Sequence, residues 1–131
     1  MTFSVSDGQI PQEFKGYNDT LLVIKHPMDM GYDKYLRNNF KENYLGPYKL
    51  IDGRDLSQYP PEQYRYVFDN KSNYTTRTDM STNHSFTYAS SDKFYVTDRI
   101  NKKFYSTQSS ASYSKLMRAY VQALESERSS K

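Results

Sequence analysis

Apolar positions along this chain fall into a few distinct patterns, and their order predicts an architecture. Leu21-Leu22-Val23-Ile24 is the longest apolar run and reads as a central strand, stopped at His26-Pro27 because the residue before a proline is pushed out of the helical region. Tyr32, Tyr35, Leu36, Phe40 and Tyr44 then recur at helical spacing, with Asp33 near the start. Gly46-Pro47 ends that helix, the glycine as a left-handed cap and the proline as a breaker. Tyr48 to Ile51 resumes as a short strand. Strand, helix and strand in one sheet join by a right-handed crossover, so the first two strands are expected to be parallel with the helix over one face.

After Asp52 the period shortens to two. Asp52 to Glu62, with Gly53 and Pro60-Pro61, reads as a long connecting loop. Tyr64 to Phe68, Phe86 to Tyr88, Lys93 to Thr97 and Lys103 to Thr107 alternate large and polar residues, as strands with one wet face do. Between the last two, Asp98 can accept local backbone hydrogens and Asn101 can supply the left-handed residue of a hairpin turn. Ser109 to Ser112 offers N-cap hydroxyls to a final helix in which Tyr113, Leu116, Met117, Tyr120, Val121 and Leu124 form one apolar stripe.

The expected fold class is therefore α/β (α+β). It is a single domain with a mixed sheet of about five strands, an N-terminal βαβ unit, antiparallel hairpins and a C-terminal helix packed on the sheet. Residues 1–17 carry Gly8, Pro11 and Gly16 without periodicity and read as a flexible arm; 18–126 form the domain and 127–131 a frayed tail. A chain of 131 residues suits one core, burying roughly two thirds of its unfolded surface.

Composition narrows the function classes. Fourteen Tyr and seven Phe with no Trp, set among many Ser, Thr and Asn, suit half-exposed strands. A net charge of +3 from scattered Lys and Arg lacks the clustered basic footprint of a nucleic-acid binder. The absence of cysteine removes disulfides, thiol catalysis and cysteine-based metal sites, and leaves the compartment open. No stretch approaches a membrane span in length, and Met1 to Gly16 has neither the positive nor the apolar region of a signal peptide. Export, with or without a lipid anchor, would then require a leader ahead of Met1.

Candidate chemistry is sparse. His26, Asp29 and Asp33 follow the first parallel strand, where open α/β sheets place ligands, and together offer a nitrogen and carboxylates to a divalent cation. The simpler reading is that Asp33 caps a helix and His26 is a loop residue. Met30-Gly31-Tyr32 is not a phosphate loop, no serine lies in a Gly-x-Ser-x-Gly elbow, and Asp52, Asp55 and Glu62 are solvated loop charges. The chain is read as a non-enzyme without a cofactor. Aromatic rings beside basic residues are its remaining chemistry: Tyr66, Tyr95 and Tyr105 are the candidate binding residues, on an open face of the sheet, against the simpler reading of cross-strand packing.

The Leu21-Leu22-Val23-Ile24 strand with its helix and Tyr48-Lys49-Leu50-Ile51, the hairpin Phe94-Tyr95-Val96-Thr97-Asp98 to Lys103-Phe104-Tyr105, and the final helix together resemble uncharacterised bacterial envelope lipoproteins. Their small α/β domains are loosely similar to the N-terminal domain of TolB and to CsgG-type assembly proteins. The resemblance spans about residues 18–126 and rests on element order; the turn carries Asn101 where glycine is common, and no lipidated cysteine is present. It implies a non-catalytic cell-envelope domain, periplasmic or associated with the outer membrane, that binds a protein or a cell-wall glycan through its sheet. The alternatives are a metal-dependent hydrolase using His26, Asp29 and Asp33, and an oligomer-forming structural subunit; a cytoplasmic location remains open.

Overall fold

A computed structural model describes residues 2–130. Five strands, β1 (Leu21–Lys25), β2 (Tyr48–Asp52), β3 (Tyr66–Asp79), β4 (His84–Asp98) and β5 (Lys103–Ser106), form one sheet in the order β2-β1-β3-β4-β5. Two helices, α1 (Met30–Asn43) and α2 (Tyr113–Arg128), complete it. β1 runs parallel to β2 over its whole length and parallel to β3 at Leu22–Val67 and Val23–Phe68, while β3–β4 and β4–β5 are antiparallel. This is the mixed α/β sheet with a βαβ unit that the apolar pattern predicts. No helix among the described residues is long and apolar enough to cross a membrane.

Both helices lie on the same face. Leu21, Val23, Tyr66, Phe68, Phe94 and Val96 point from the sheet into a core shared with Leu36 and Phe40 of α1 and with Leu116, Met117, Tyr120, Val121 and Leu124 of α2. Strand alternation sends Leu22, Ile24, Ile51 and Val67 to the opposite face, where Leu56, Tyr59 and Tyr64 cover them. The segment expected as a loop thus includes a 3₁₀ turn, Gly53–Gln58, and acts as a partial second layer.

The chain ends depart from expectation. Residues 1–17 are not a flexible arm: Ile10 and Phe14 are buried, Phe3 meets Tyr120 edge-on at 5.4 Å, and the Tyr120 hydroxyl donates to the Gln9 carbonyl at 2.7 Å. Nor does the tail fray from residue 127. Helix α2 continues to Arg128, whose guanidinium binds Glu125 at 2.7 and 2.8 Å and lies over the Tyr44 ring, while its carbonyl accepts the Gly16 N–H at 3.0 Å. Met1 and Lys131 lie outside the described residues.

Gly46 serves a different purpose from the one its place after α1 suggests. The cap is Tyr44 in an extended conformation, and Gly46 is not left-handed; a Cβ there would stand 2.7 Å from the Arg128 side chain. The glycine makes room for the arginine. Likewise the left-handed residue of the 98–103 turn is Lys102, at φ 56°, not Asn101, whose amide instead binds Asp98.

The largest difference is in β3 and β4. The sequence predicts short strands, whereas these run for 14 and 15 residues, so that past Asn73 they leave the sheet as a two-stranded arm with a bulge at Asn73/Tyr74. Hydroxyl pairs Thr76–Thr87 and Thr78–Ser85, each 2.9 Å, hold its two strands in register.

Candidate functional site

A cleft of about 1250 Å³ opens at the carboxyl ends of β1 and β2, where the first parallel pair delivers its loops. Its walls come from the His26–Asp29 loop, the Asp52–Arg54 turn, the start of α2 at Tyr113 and the base of the arm at Ser72, Tyr74 and Asp92. His26 and Asp29 therefore lie where the sequence places them, at the sheet's ligand-binding end. Their side chains, however, are occupied. Asp29 is the N-cap of α1 and accepts the Tyr32 N–H at 3.0 Å; Asp33, one turn on, accepts the His26 N–H at 2.6 Å. Asp29, not Asp33, is the cap.

The His26 ring turns away from both aspartates to Asp69 of β3, 2.9 Å from Nε2. Asp69 also accepts a hydrogen bond from the Tyr95 hydroxyl at 3.3 Å. The hydrogen bond to Asp69 raises the His26 pKa above its ordinary value, against the opposing effect of burial. Among the described residues no three His, Asp or Glu side chains converge on a metal position. His26, Asp29 and Asp33 are thus gathered at one turn without forming a donor set, their carboxylates facing backbone amides.

A raised His pKa has a defined consequence for stability. The His26–Asp69 contribution is fully present below the unfolded-state pKa of about 6.5 and is lost as pH rises through the folded-state value. His26 is over a third exposed, so solvent screening limits the effect to about 1 kcal/mol or less. His26→Ala is accordingly expected to cost most at pH 6 and almost nothing by pH 9, measured by urea unfolding at several pH values. A pH-independent cost would mean that the ring contributes packing alone.

Beneath the cleft lies Tyr32, almost wholly buried, edge-on to His26 at 4.8 Å. Its hydroxyl has no hydrogen-bond partner among the described residues, and burial drives its pKa far upward, so it stays a neutral donor. Asp92 on the arm's base accepts from Asn70 at 3.2 Å and from Ser72, and bridges to Ser110 through backbone bonds of 2.9 Å. This knot fixes where the arm leaves the sheet. Asp69 and Tyr74 escape the sequence reading because they follow the predicted strand ending at Phe68, and Asp92 because it precedes the one beginning at Lys93.

The three candidate tyrosines do not form one surface. Tyr66 is fully buried between Phe14 and Tyr17, with the Arg65 guanidinium 5.0 Å from its ring centre. Tyr105 pairs with Val96 on the helix-covered side. Only Tyr95 points to the opposite face, opposite Asp69 and edge-on to Phe104 at 5.9 Å. Tyr66 is a core residue, and a ligand cannot reach it without unfolding the sheet.

The most exposed structure is the arm. From Asn73 through Thr87 every described side chain is exposed, including Tyr74 at 68% and Met80 at 86%. Its two strands pair with each other, and at its base the Asn73 amide also donates to the Ser109 hydroxyl at 3.3 Å.

No family model matches the chain, and no curated protein matches it. Among solved structures it is similar to a PelC dodecamer from Paraburkholderia phytofirmans carrying a leucine-to-methionine substitution, at 14% identity and a TM-score of 0.46, over 82% of this chain and 88% of that one. It is also similar to the PelC dodecamer of the same organism in space group P6, at 12% identity and a TM-score of 0.45, over 85% and 89% of the two chains. Both are PelC rather than TolB or CsgG structures, and the resemblance read from element order finds no support in them.

Proposed function

We propose that this chain is a non-catalytic interaction domain of the bacterial cell envelope that engages a protein through its projecting β-arm. The arm supports the reading by itself. An isolated two-stranded hairpin is marginally stable in water, and strand edges left open are templates for another chain. Proteins that keep such edges from pairing shorten them, charge them or place proline in them. Between Asn73 and Ser91 there is no proline, and the ionisable side chains other than tyrosines are Arg77, Asp79 and His84. An arm this long and unguarded is consistent with a docking element, which adds strands to, or takes strands from, a partner.

The occupied side chains of His26, Asp29 and Asp33 favour this reading over a metal-dependent hydrolase. A glycan in the cleft is the second reading, favoured by the Tyr74 and Tyr113 rings beside Asn70 and Asp92. Location in the periplasm or at the outer membrane belongs to the proposal and comes from element order; recovery of the native protein in the cytosolic fraction would remove it.

The test is to replace residues 74–90 by a two-residue Asn-Gly turn joining Asn73 to Ser91, which already face each other across the ladder. The shortened protein is expected to melt within a few degrees of the parent, because the arm adds no residue to the core. In affinity capture from an envelope extract it should lose a discrete protein that the parent retains. Retention of that protein by the shortened form would overturn the proposal, and a parent that retains cell-wall glycan alone, with weaker retention by the shortened form that lacks Tyr74, would favour the cleft.

A further inference from the structure

We propose that the cleft at the base of the arm binds a neutral saccharide, one hydroxyl of which satisfies the buried Tyr32 hydroxyl, directly or through one ordered water. The inference rests on the reading of the cleft as a glycan site, and it names the charge class of the ligand and the side chain that completes the site. It is independent of the arm's protein partner.

Tyr32 is the unfinished part of the cleft. It is 5% exposed and lines the cleft, its ring 4.8 Å from His26 and 6.4 Å from Tyr113, both of which stand in the walls. Its hydroxyl is buried without a hydrogen-bond partner, a state that folded proteins rarely leave uncompensated. Burial, and then the charges of Asp69, Asp92, Asp33 and Asp29, push its pKa upward. The two aspartates that act on it most stand on β3 and β4, so the ring reaches from α1 beneath the cleft with its hydroxyl toward the base of the arm. Tyr44 and Tyr66 also bury unpartnered hydroxyls, but each lies under a guanidinium and neither lines the cleft.

The unmet group selects its ligand. A neutral phenol has one hydrogen to donate, so the ligand must offer an acceptor. An anion offers one, but four aspartates already act on this hydroxyl and would repel it. An ammonium suits the aspartates and has no lone pair to accept with. A neutral hydroxyl does both: it accepts from Tyr32 and donates to Asp92, whose Oδ1 takes Asn70 and Ser72 while its Oδ2 takes nothing among the described residues. The ions elsewhere in the wall are matched, since Asp52 binds Arg54 at 3.0 Å and Lys25 acts on the same carboxylate.

Aromatic rings supply the remaining contact. Tyr74, 68% exposed, and Tyr113 stand in the walls, where the C–H face of a sugar ring can pack on them while its hydroxyls meet Asn70 and Asp92. At about 1250 Å³ the cleft exceeds the roughly 300–1,000 Å³ that suits a drug-sized ligand, which leaves room for an oligosaccharide.

Isothermal titration of the full chain tests this with three neutral tetrasaccharides, cellotetraose, maltotetraose and tetraacetylchitotetraose, against two charged ones, tetragalacturonate and the tetramer of glucosamine. At least one neutral sugar is expected to bind, with an affinity that changes less than about twofold between roughly 50 and 500 mM NaCl, because no charge enters the cleft. Tyr32→Phe should weaken that binding about tenfold and yet melt at or above the wild type, since it removes a buried hydroxyl that has no partner. Tyr74→Ala, at an exposed position, should weaken it several-fold and leave the melt unchanged. A neutral sugar held equally well by Tyr32→Phe or by Tyr74→Ala, or a preference for either charged sugar, would overturn the inference while leaving the protein a glycan binder. No binding of any of the five at about 10 mM would overturn both the inference and the reading of the cleft as a glycan site.

Discussion

Phe14→Ala is expected to destabilise the fold by about 3–5 kcal/mol, the cost of removing a fully buried aromatic ring and leaving a cavity that its neighbours fill only in part. Phe14 has no exposed surface; it stacks on Tyr17 at 5.3 Å and meets Tyr66 edge-on at 5.4 Å. These rings close the end of the sheet opposite the cleft. Because Tyr66 stands in β3, a void there loosens the strand that carries the arm. Urea unfolding measures the effect directly, and the midpoint of a thermal melt should fall by roughly 10–20 °C. A flexible N-terminal segment would give the opposite result, a change below about 0.5 kcal/mol, as surface substitutions usually do. Phe14→Leu should lose less than half as much, since most of the buried volume is kept.

The elements legible in the sequence are those with at least one buried face. Leu21 to Ile24, buried on both faces, shows as a continuous apolar run, and the α1 and α2 stripes show by their period. The arm has no buried face. Beyond Asn70, β3 is Lys-Ser-Asn-Tyr-Thr-Thr-Arg-Thr, mostly exposed, and its strand character comes from pairing with β4 rather than from any apolar alternation. Ile10 and Phe14 were illegible for a related reason: two apolar residues in a segment broken by Gly8, Pro11 and Gly16 form no period, and only the tertiary fold reveals the pocket they fill.

The candidate binding residues failed on register. Tyr66, Tyr95 and Tyr105 each follow or precede a basic or aromatic neighbour, and parity along one strand says that one of two adjacent rings faces the core. It does not say which one until strands are paired. Pairing sets Tyr66 opposite Asp98 and Tyr95 opposite Asp69, positions an odd number of residues apart, and so on opposite faces. The parallel pairing of β1 with β3 brings Asp69 within reach of His26, 43 residues away, a contact no local motif announces. His26, Asp29 and Asp33 were placed correctly at the strand end, but a strand end fixes position and not the direction in which a carboxylate turns.

Asp98→Ala should cost about 3 kcal/mol at pH 7, and most of that cost, about 2.5 kcal/mol, should disappear in acid. The Asp98 carboxylate is almost wholly buried and accepts five hydrogen bonds: two from the Arg65 guanidinium at 2.9 and 3.1 Å, two from the backbone of Ile100 and Asn101, and one from the Asn101 amide. Burial alone would raise its pKa; the bonds from Arg65 and Asn101 outweigh it and hold the value down to about 2. Removing the carboxylate frees the β4–β5 turn and leaves Arg65 with Glu13 alone. Arg65 keeps a partly exposed side chain, which places the loss at the lower end of the range for broken buried pairs. The sign with pH follows from the depressed value: the ionic contribution is present above the unfolded pKa of about 3.9 and disappears as pH falls toward 2. Wild type and Asp98→Ala should thus differ fully at pH 7 and approach each other between about pH 4 and pH 2, leaving the smaller cost of the lost turn hydrogen bonds. Asp98→Asn separates charge from geometry, since it can still accept from the turn amides while losing the ion pair. If all three proteins share one acid profile, Asp98 is only a spacer in the turn; if Asp98→Asn tracks the wild type at pH 2 and Asp98→Ala at pH 7, the buried ion pair holds the hairpin against the sheet.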